Sequence, residues 1–230
     1  MGTTDSGKAT QKQTVRLILL GAPGAGKGTQ AQILAENYNA EHVSTGDIFR
    51  VLIKNNSPLG QKIKTYVESG ELIPDEIVVE VVADKIKKMD SLRGFILDGF
   101  PRTLKQAQIL DITLREMNIS IDKVLNFETS EDVIIKRIGG RRICKNCGAT
   151  YHLINLPPKK EGICDLCGGP LYQRKDDESS TILNRLKVYQ EQTIDLIGYY
   201  KSKGLLETIN GDLSKDDAFV IIKSILDQLK

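Results

Sequence analysis

Val15-Arg16-Leu17-Ile18-Leu19-Leu20 runs straight into Gly21-Ala22-Pro23-Gly24-Ala25-Gly26-Lys27-Gly28-Thr29, and this stretch decides the fold. The apolar run has the form of a strand buried on both faces. Residues 29–38 follow with Ala31, Leu34 and Ala35 on one helical face. Between strand and helix, glycine permits positive φ, so the backbone can curl and point successive N–H groups inward. Those groups would lie at a helix N-terminus, where the peptide dipoles favour an anion. Lys27 adds a point charge suited to β- and γ-phosphate oxygens. The cradle so formed comprises Gly24, Ala25, Gly26, Lys27, Gly28 and Thr29. The general phosphate-loop pattern puts Ser or Thr directly after the lysine, for magnesium. Here Gly28 stands there, and Thr29 comes one step later.

Outward from this loop, residues 95–97, 123–127 and 205–209 read as further buried strands. Helical patterns lie between them, at 77–88, 104–115, 131–138, 182–201 and 215–229. Strands alternating with helices predict an α/β protein with a doubly wound parallel sheet. Two stretches break the alternation. Residues 44–73 are helical and polar, with no strand pattern of their own. Residues 139–177 are rich in Gly and Pro, poor in large apolar groups, and hold all the cysteines. Both read as insertions into the core.

The 230 residues include 32 basic and 30 acidic side chains, for a formal charge of +2. That near balance excludes bulk attraction to nucleic acid as the main role. No run approaches the roughly 18 apolar residues of a membrane span, and residues 1–13 contain no apolar leader segment. The expectation is a cytoplasmic protein with neither a membrane nor a nucleic-acid partner. Residues 1–14 read as a flexible tail. Gly2 and Ser6 also satisfy a loose N-myristoylation pattern.

In a reducing compartment disulfides are not expected. Cys144-x-x-Cys147 and Cys164-x-x-Cys167, separated by 16 residues, have the spacing of a four-thiolate zinc site. Gly148 and Gly168 follow the second cysteine of each pair, where a tight knuckle needs a small residue. Four protein ligands leave no open position for substrate, so this zinc would be structural. It would staple a segment that cannot build a core alone.

The phosphate loop, Ser44-Thr45-Gly46-Asp47-Ile48-Phe49-Arg50, Asp98-Gly99-Phe100-Pro101-Arg102, Gly140-Arg141-Arg142 and Arg174-Lys175-Asp176-Asp177 together resemble the adenylate kinase family. The likeness runs from about residue 15 to the C-terminus. Gly28 is that family's own pattern, and the cysteine insert resembles its long form with a zinc-stapled lid. The resemblance implies a P-loop nucleoside monophosphate kinase fold. Its α/β core would comprise 15–43, 74–139 and 178–230, with a helical NMP-binding insert at 44–73 and a zinc-binding lid at 140–177. It implies nucleotide metabolism: magnesium-dependent transfer between ATP, AMP and ADP, by a monomer.

By the same resemblance, Lys27 and Arg141 hold the ATP phosphates, and Arg50 and Arg102 hold the AMP phosphate. Arg137, Arg174 and Arg185 close over the transferring group, with Arg174 and Arg185 also reaching AMP. Thr45 and Gln106 face the AMP adenine, an edge that Gln can serve as donor and acceptor at once. The backbone of Glu71, Leu72 and Ile73, with Gly99, Phe100 and Pro101, lines the AMP pocket; the related pattern often carries Lys at position 71. Thr150, Tyr151 and Leu213 pack on the ATP base and ribose. Asp98 ends a buried strand, where doubly wound sheets collect ligands, and with Asp47 would serve magnesium through water. Asp176 and Asp177 read either as partners of the lid arginines or as loop carboxylates. Arg16, Arg93, Arg115 and Arg142 read as surface, and His42 and His152 as structural or surface residues.

Three other readings remain open on residues alone. The chain could phosphorylate another monophosphate, such as UMP or CMP, or use GTP as donor, though Thr45, Gln106 and the long lid favour AMP. It could be a zinc-ribbon nucleic-acid binder, against which stand the neutral charge and the lack of aromatics among basic residues at the knuckles. It could bind nucleotide without turnover.

Overall fold

The computed structural model describes residues 12–90, 92–177 and 179–229. Gly2 and Ser6, with the rest of the tail up to residue 11, lie outside them. The central sheet has five strands: β1 (Arg16–Gly21), β2 (Ala40–Ser44), β3 (Gly94–Asp98), β4 (Lys123–Glu128) and β8 (Leu206–Asn210). Their spatial order is β2-β3-β1-β4-β8, and every pairing is parallel. Side chains alternate across a strand, so β1 feeds two cores. Ile18 and Leu20 join one with Phe95, Leu97 and Val124. Leu17 and Leu19 join the other with Ile96, Leu125 and Phe127. Both faces are covered by helices, which is why β1 reads as a continuous apolar run.

The covering helices are α1 (Lys27–Asn37), α4 (Asp75–Lys87), α5 (Leu104–Glu116), α6 (Glu131–Gly139), α7 (Ser179–Val188), α8 (Asp195–Ser202) and α9 (Lys215–Leu226). Two expectations need correction here. β2 was not expected: its sequence, AEHVS, buries only Ala40 and Val43, because it is an edge strand. The single helix expected over 182–201 is two helices joined by a π-helical turn at Tyr189–Thr193. The turn lets α7 bury Ile182 and Leu186 against α6, while α8 buries Leu196 and Tyr200 in the large core with α5.

The first insertion carries α2 (Thr45–Lys54) and α3 (Pro58–Ser69). Ser44 caps α2 by accepting from Asp47 N, and Ser57 caps α3 by accepting from Gly60 N. The second forms a small antiparallel sheet, β6-β5-β7, of β5 (Arg141–Cys144), β6 (Thr150–His152) and β7 (Leu171–Tyr172). Its core among the described residues is small: Cys144, Tyr151 and Cys164 cluster, with Ala149 and Leu171 against them, and Ile143 is buried as well. The two insertions meet: Arg174 Nη2 is 3.5 Å from Asp47 Oδ1, and Lys175 Nζ is 3.4 Å from Glu68 Oε1. No helix among the described residues is long and apolar enough to cross a membrane.

Candidate active site

The chain leaves β1 toward β2 on one side of the sheet and leaves β3 toward β4 on the other, so the strand order reverses between β1 and β3. Ligand crevices open at such a reversal, beyond the carboxyl ends of the strands. Leu19 of β1 pairs with Asp98 of β3, which brings the glycine loop beside the 98–102 loop. Gly26 takes φ 96° and starts α1 with no side-chain cap, and no acidic residue follows in the first turn. The first N–H groups of α1 are therefore left for an anion. Lys27 Nζ curls back to donate to Gly21 O at 2.6 Å and Ala22 O at 2.9 Å. Burial pushes its ammonium down to about 8, Asp98 opposing and the nearby arginines adding to the effect.

Gly28 has a local reason to be glycine. A Cβ there would lie 3.2 Å from Asp98 Oδ2, so a side chain would crowd the carboxylate away from the helix start. The same carboxylate oxygen is reached by His42 Nε2 at 3.3 Å. Burial would raise the Asp98 carboxyl, but the His42 hydrogen bond, Lys27 and Arg102 outweigh it and hold it below the ordinary range. Asp47 is elsewhere. Its carboxylate accepts from Arg50 Nη2 at 2.6 Å and faces Arg174, so it is engaged by the arginines.

A guanidinium cluster closes the crevice. Arg141 grips Asp177 in a two-pronged pair, with Nε donating to Oδ2 at 2.8 Å and Nη2 to Oδ1. Arg185 Nη1 donates to Asp176 Oδ2 at 3.1 Å and lies 3.6 Å from Asp177 Oδ1. Arg50 Nη1 is 3.9 Å from Asp176. Of the two readings of Asp176 and Asp177, the structure carries the first: both pair with arginines. Burial would raise Asp176, yet Arg185, Arg50 and Arg174 hold it low. Positive charge is nonetheless in excess. Burial, with like-charged neighbours, pushes Arg174 and Arg185 down to about 10. Arg174 Nε is buried without a hydrogen-bond partner among the described residues. Such a cluster suits an anion.

Two cavities meet at this cluster. One is lined by Thr45, Gly46, Arg50, Glu71, Leu72, Ile73, Gly99, Arg102, Gln106 and Arg185. The other runs from Gly21 and Lys27 past Pro101 to the π turn. Arg102 and Arg185 line both. Thr45 Oγ1 donates to Gly99 O at 2.9 Å. Gln106 donates to Asp75 Oδ1 at 2.8 Å and accepts from Arg102 N at 2.7 Å, which leaves one N–H and one lone pair for a ligand.

Other expected site residues sit differently. Arg137 donates to Gly211 O at 2.6 Å and Leu213 O at 3.0 Å. It is held beside Leu213, with its guanidinium next to the phosphate loop, where Nη1 would lie 3.7 Å from a Cβ on Gly26. The Phe100 ring is buried in the large core, so only its backbone can face a nucleotide. The Tyr151 ring is buried among the lid cysteines, with its hydroxyl 3.4 Å from Cys164 Sγ, and does not offer a face to a base. Thr150 is half-buried on the same lid strand.

Three contributors had no sequence signal as site residues. His42 lies on the unexpected strand. Asp75 orients Gln106 and accepts from Thr103 Oγ1 at 3.1 Å. Thr193, in the π turn, donates to Arg102 O at 2.9 Å. Only contacts across the fold reveal them.

The four cysteines converge as their spacing suggested. Their Sγ atoms all lie within 4.8 Å of one another, and Cys144 and Cys164 are buried while Cys147 and Cys167 are exposed. Cys144 Sγ also accepts from Asn146 N at 3.4 Å. The donor set fits a closed tetrahedral thiolate site.

The family model described as adenylate kinase matches residues 19–205. The chain is 57% identical to an adenylate kinase of Caldicellulosiruptor bescii, over 86% of this chain and 92% of that protein. It is 50% identical to one of Carboxydothermus hydrogenoformans, over 92% and 99% of the two chains. It is 49% identical to one of Geobacillus, over 94% and 100%.

Proposed function

The chain belongs to the adenylate kinase family, and from that premise we propose how its own residues move phosphate between two nucleotides. The activity is that of a nucleoside monophosphate kinase: with magnesium, ATP and AMP give two ADP, reversibly. The acceptor is a phosphate oxygen, already anionic at neutral pH, so no general base is required. The obstacle is to bring two polyanions together and to neutralise the group in transit. Positioning and positive charge therefore carry the catalysis.

In this reading the cavity lined by Thr45 and Gln106 holds AMP, with Arg50 and Arg102 on its phosphate. The glycine loop, the open start of α1 and Lys27 hold the ATP phosphates, joined by Arg141. Arg174 and Arg185 lie over the group in transit, and Arg102 reaches it from the shared wall. Thr150, Leu213 and Arg137 bound the ATP base, and Tyr151 contributes at most its backbone. Asp98 would hold magnesium through water; when bound, that ion adds positive charge at the β- and γ-phosphates. The four cysteines hold a structural zinc. The insertions at 44–73 and 140–177 act as an AMP flap and an ATP lid that exclude water, so phosphate goes to AMP and not to solvent. One chain supplies every one of these groups, which supports a monomer. This reading places the enzyme in the cytoplasm, with the adenylates it acts on.

The observation that carries the reading is the position of Arg102 and Arg185 on the wall common to both cavities. A coupled ADP-formation assay with AMP, UMP and CMP as acceptors tests it. AMP should be preferred, and Lys27→Ala or Arg102→Ala should lower turnover by roughly 10³-fold. Equal use of UMP, or near-normal turnover in both variants, would overturn it.

A further inference from the structure

We propose that the Tyr151 hydroxyl is an outer-shell donor to the lid metal site, holding Cys164 in place as a ligand. The inference rests on the zinc reading above. Tyr151 pairs with Arg142 across β6 and β5, and its ring is packed with Cys144 and Cys164. Its oxygen accepts from Asp165 N at 2.7 Å and lies 3.4 Å from Cys164 Sγ. A phenol has one proton to give. The Asp165 amide takes up an oxygen lone pair, which leaves that proton directed at the sulfur. A metal-bound thiolate has no proton and can only accept, so the bond can run in one direction. Asp165 is itself anchored, because its Oδ1 accepts from Lys159 N at 2.9 Å.

Packing alone does not explain a tyrosine here. A phenylalanine ring would fill the same space, and a buried hydroxyl is retained where it has a partner. Here it has two: the Asp165 N–H, which uses a lone pair, and a sulfur of the metal site, reached from the strand that follows the first knuckle, which is left to take the proton. The bond thus ties the second knuckle to β6 and withdraws charge from a site of four thiolates. Outer-shell partners of this kind commonly change metal affinity by about 10- to 100-fold.

The test uses the full-length protein and its Tyr151→Phe variant. Zinc affinity is measured by chelator competition, and the thiolate-to-metal charge-transfer band is recorded with cobalt(II) in place of zinc. Loss of the donor should weaken zinc by about 10- to 100-fold and shift the band, while the metal-free forms unfold at the same temperature. Equal affinity and an unmoved band would overturn the inference and leave the zinc reading standing. A metal-free variant as destabilised as the loaded one would overturn it too, because the hydroxyl would then serve packing alone. A parent protein that binds neither ion would sink the zinc reading, and the inference with it.

Discussion

His42 Nε2 lies 3.3 Å from Asp98 Oδ2, joining an edge strand to the carboxylate at the mouth of the crevice. A carboxylate only accepts, so the imidazole donates and fixes which way the carboxylate faces. His42→Leu removes the donor, and His42→Gln supplies another N–H. The magnesium concentration for half-maximal activity should rise about 10-fold in the first and stay near the parent value in the second. A magnesium titration of steady-state rate checks this.

Asp98 and Asp176 are both held below the ordinary carboxylate range, despite burial, by the cations around them. Each therefore binds a proton less readily folded than unfolded. The stability they contribute is complete above the unfolded value of about 4, and is lost as pH falls through the lower native values. Unfolding temperature recorded from neutral pH downward should drop more steeply in the parent than in Asp98→Asn. Parallel profiles would contradict this.

Lys27 shifts in the same direction, but for a cation a lowered value means that the charged form is penalised. Its folded value of about 8 lies below its unfolded value of 10.5. The folded state is thus penalised in full below about 8, and the penalty fades as pH rises toward 10.5. Bound phosphates favour the ammonium form, so ATP binding near pH 9, roughly one unit above that value, should take up protons. Calorimetry in two buffers of different ionisation enthalpy measures the uptake, and Lys27→Met should abolish it.

The lid core is a cluster of two cysteines and a tyrosine with two half-buried neighbours, and Ile143 is buried as well, too little to fold unaided. A structural zinc supplies on the order of 10 kcal/mol to such a segment. Chelator with reductant should expose lid amides, across 140–177, to rapid hydrogen exchange while β1, β3 and β4 stay protected. An unchanged exchange pattern and unfolding temperature would show that no metal staples the lid.

Thr193 Oγ1 donates to Arg102 O at 2.9 Å, and Gln106 accepts from Arg102 N, so the backbone of this arginine is clamped from two sides. One neutral hydrogen bond is worth about 1 kcal/mol, or roughly 5-fold. Thr193→Val should raise the KM for AMP by that factor and leave the KM for ATP unchanged. Thr193→Ser should restore it. Equal changes in both constants would point to general loosening.

The parts of the site legible in the sequence are those made locally. The glycine loop from Gly21 to Thr29 announces its own geometry, because a backbone nest needs only consecutive residues. The cysteine pairs do the same, since knuckle spacing is nearly the ligand geometry itself. The central strands show as apolar runs because both faces are covered. β2 does not, because an edge strand with two core-facing residues resembles a loop. The π turn does not either, because the apolar spacing of residues 182–201 is compatible with one unbroken helix.

By itself, then, the amino-acid order settled the phosphate loop, the thiolate set and the parallel α/β plan, all of which depend on neighbours along the chain. Tertiary structure alone decided that Arg137 lies beside Leu213, that Asp47 pairs with Arg50 and Arg174, and that Tyr151 turns to Cys164. A long side chain on a helix or lid strand can reach several partners, and which it meets depends on how separate elements pack. That choice is set by burial and charge over the whole molecule, and is not written in spacing.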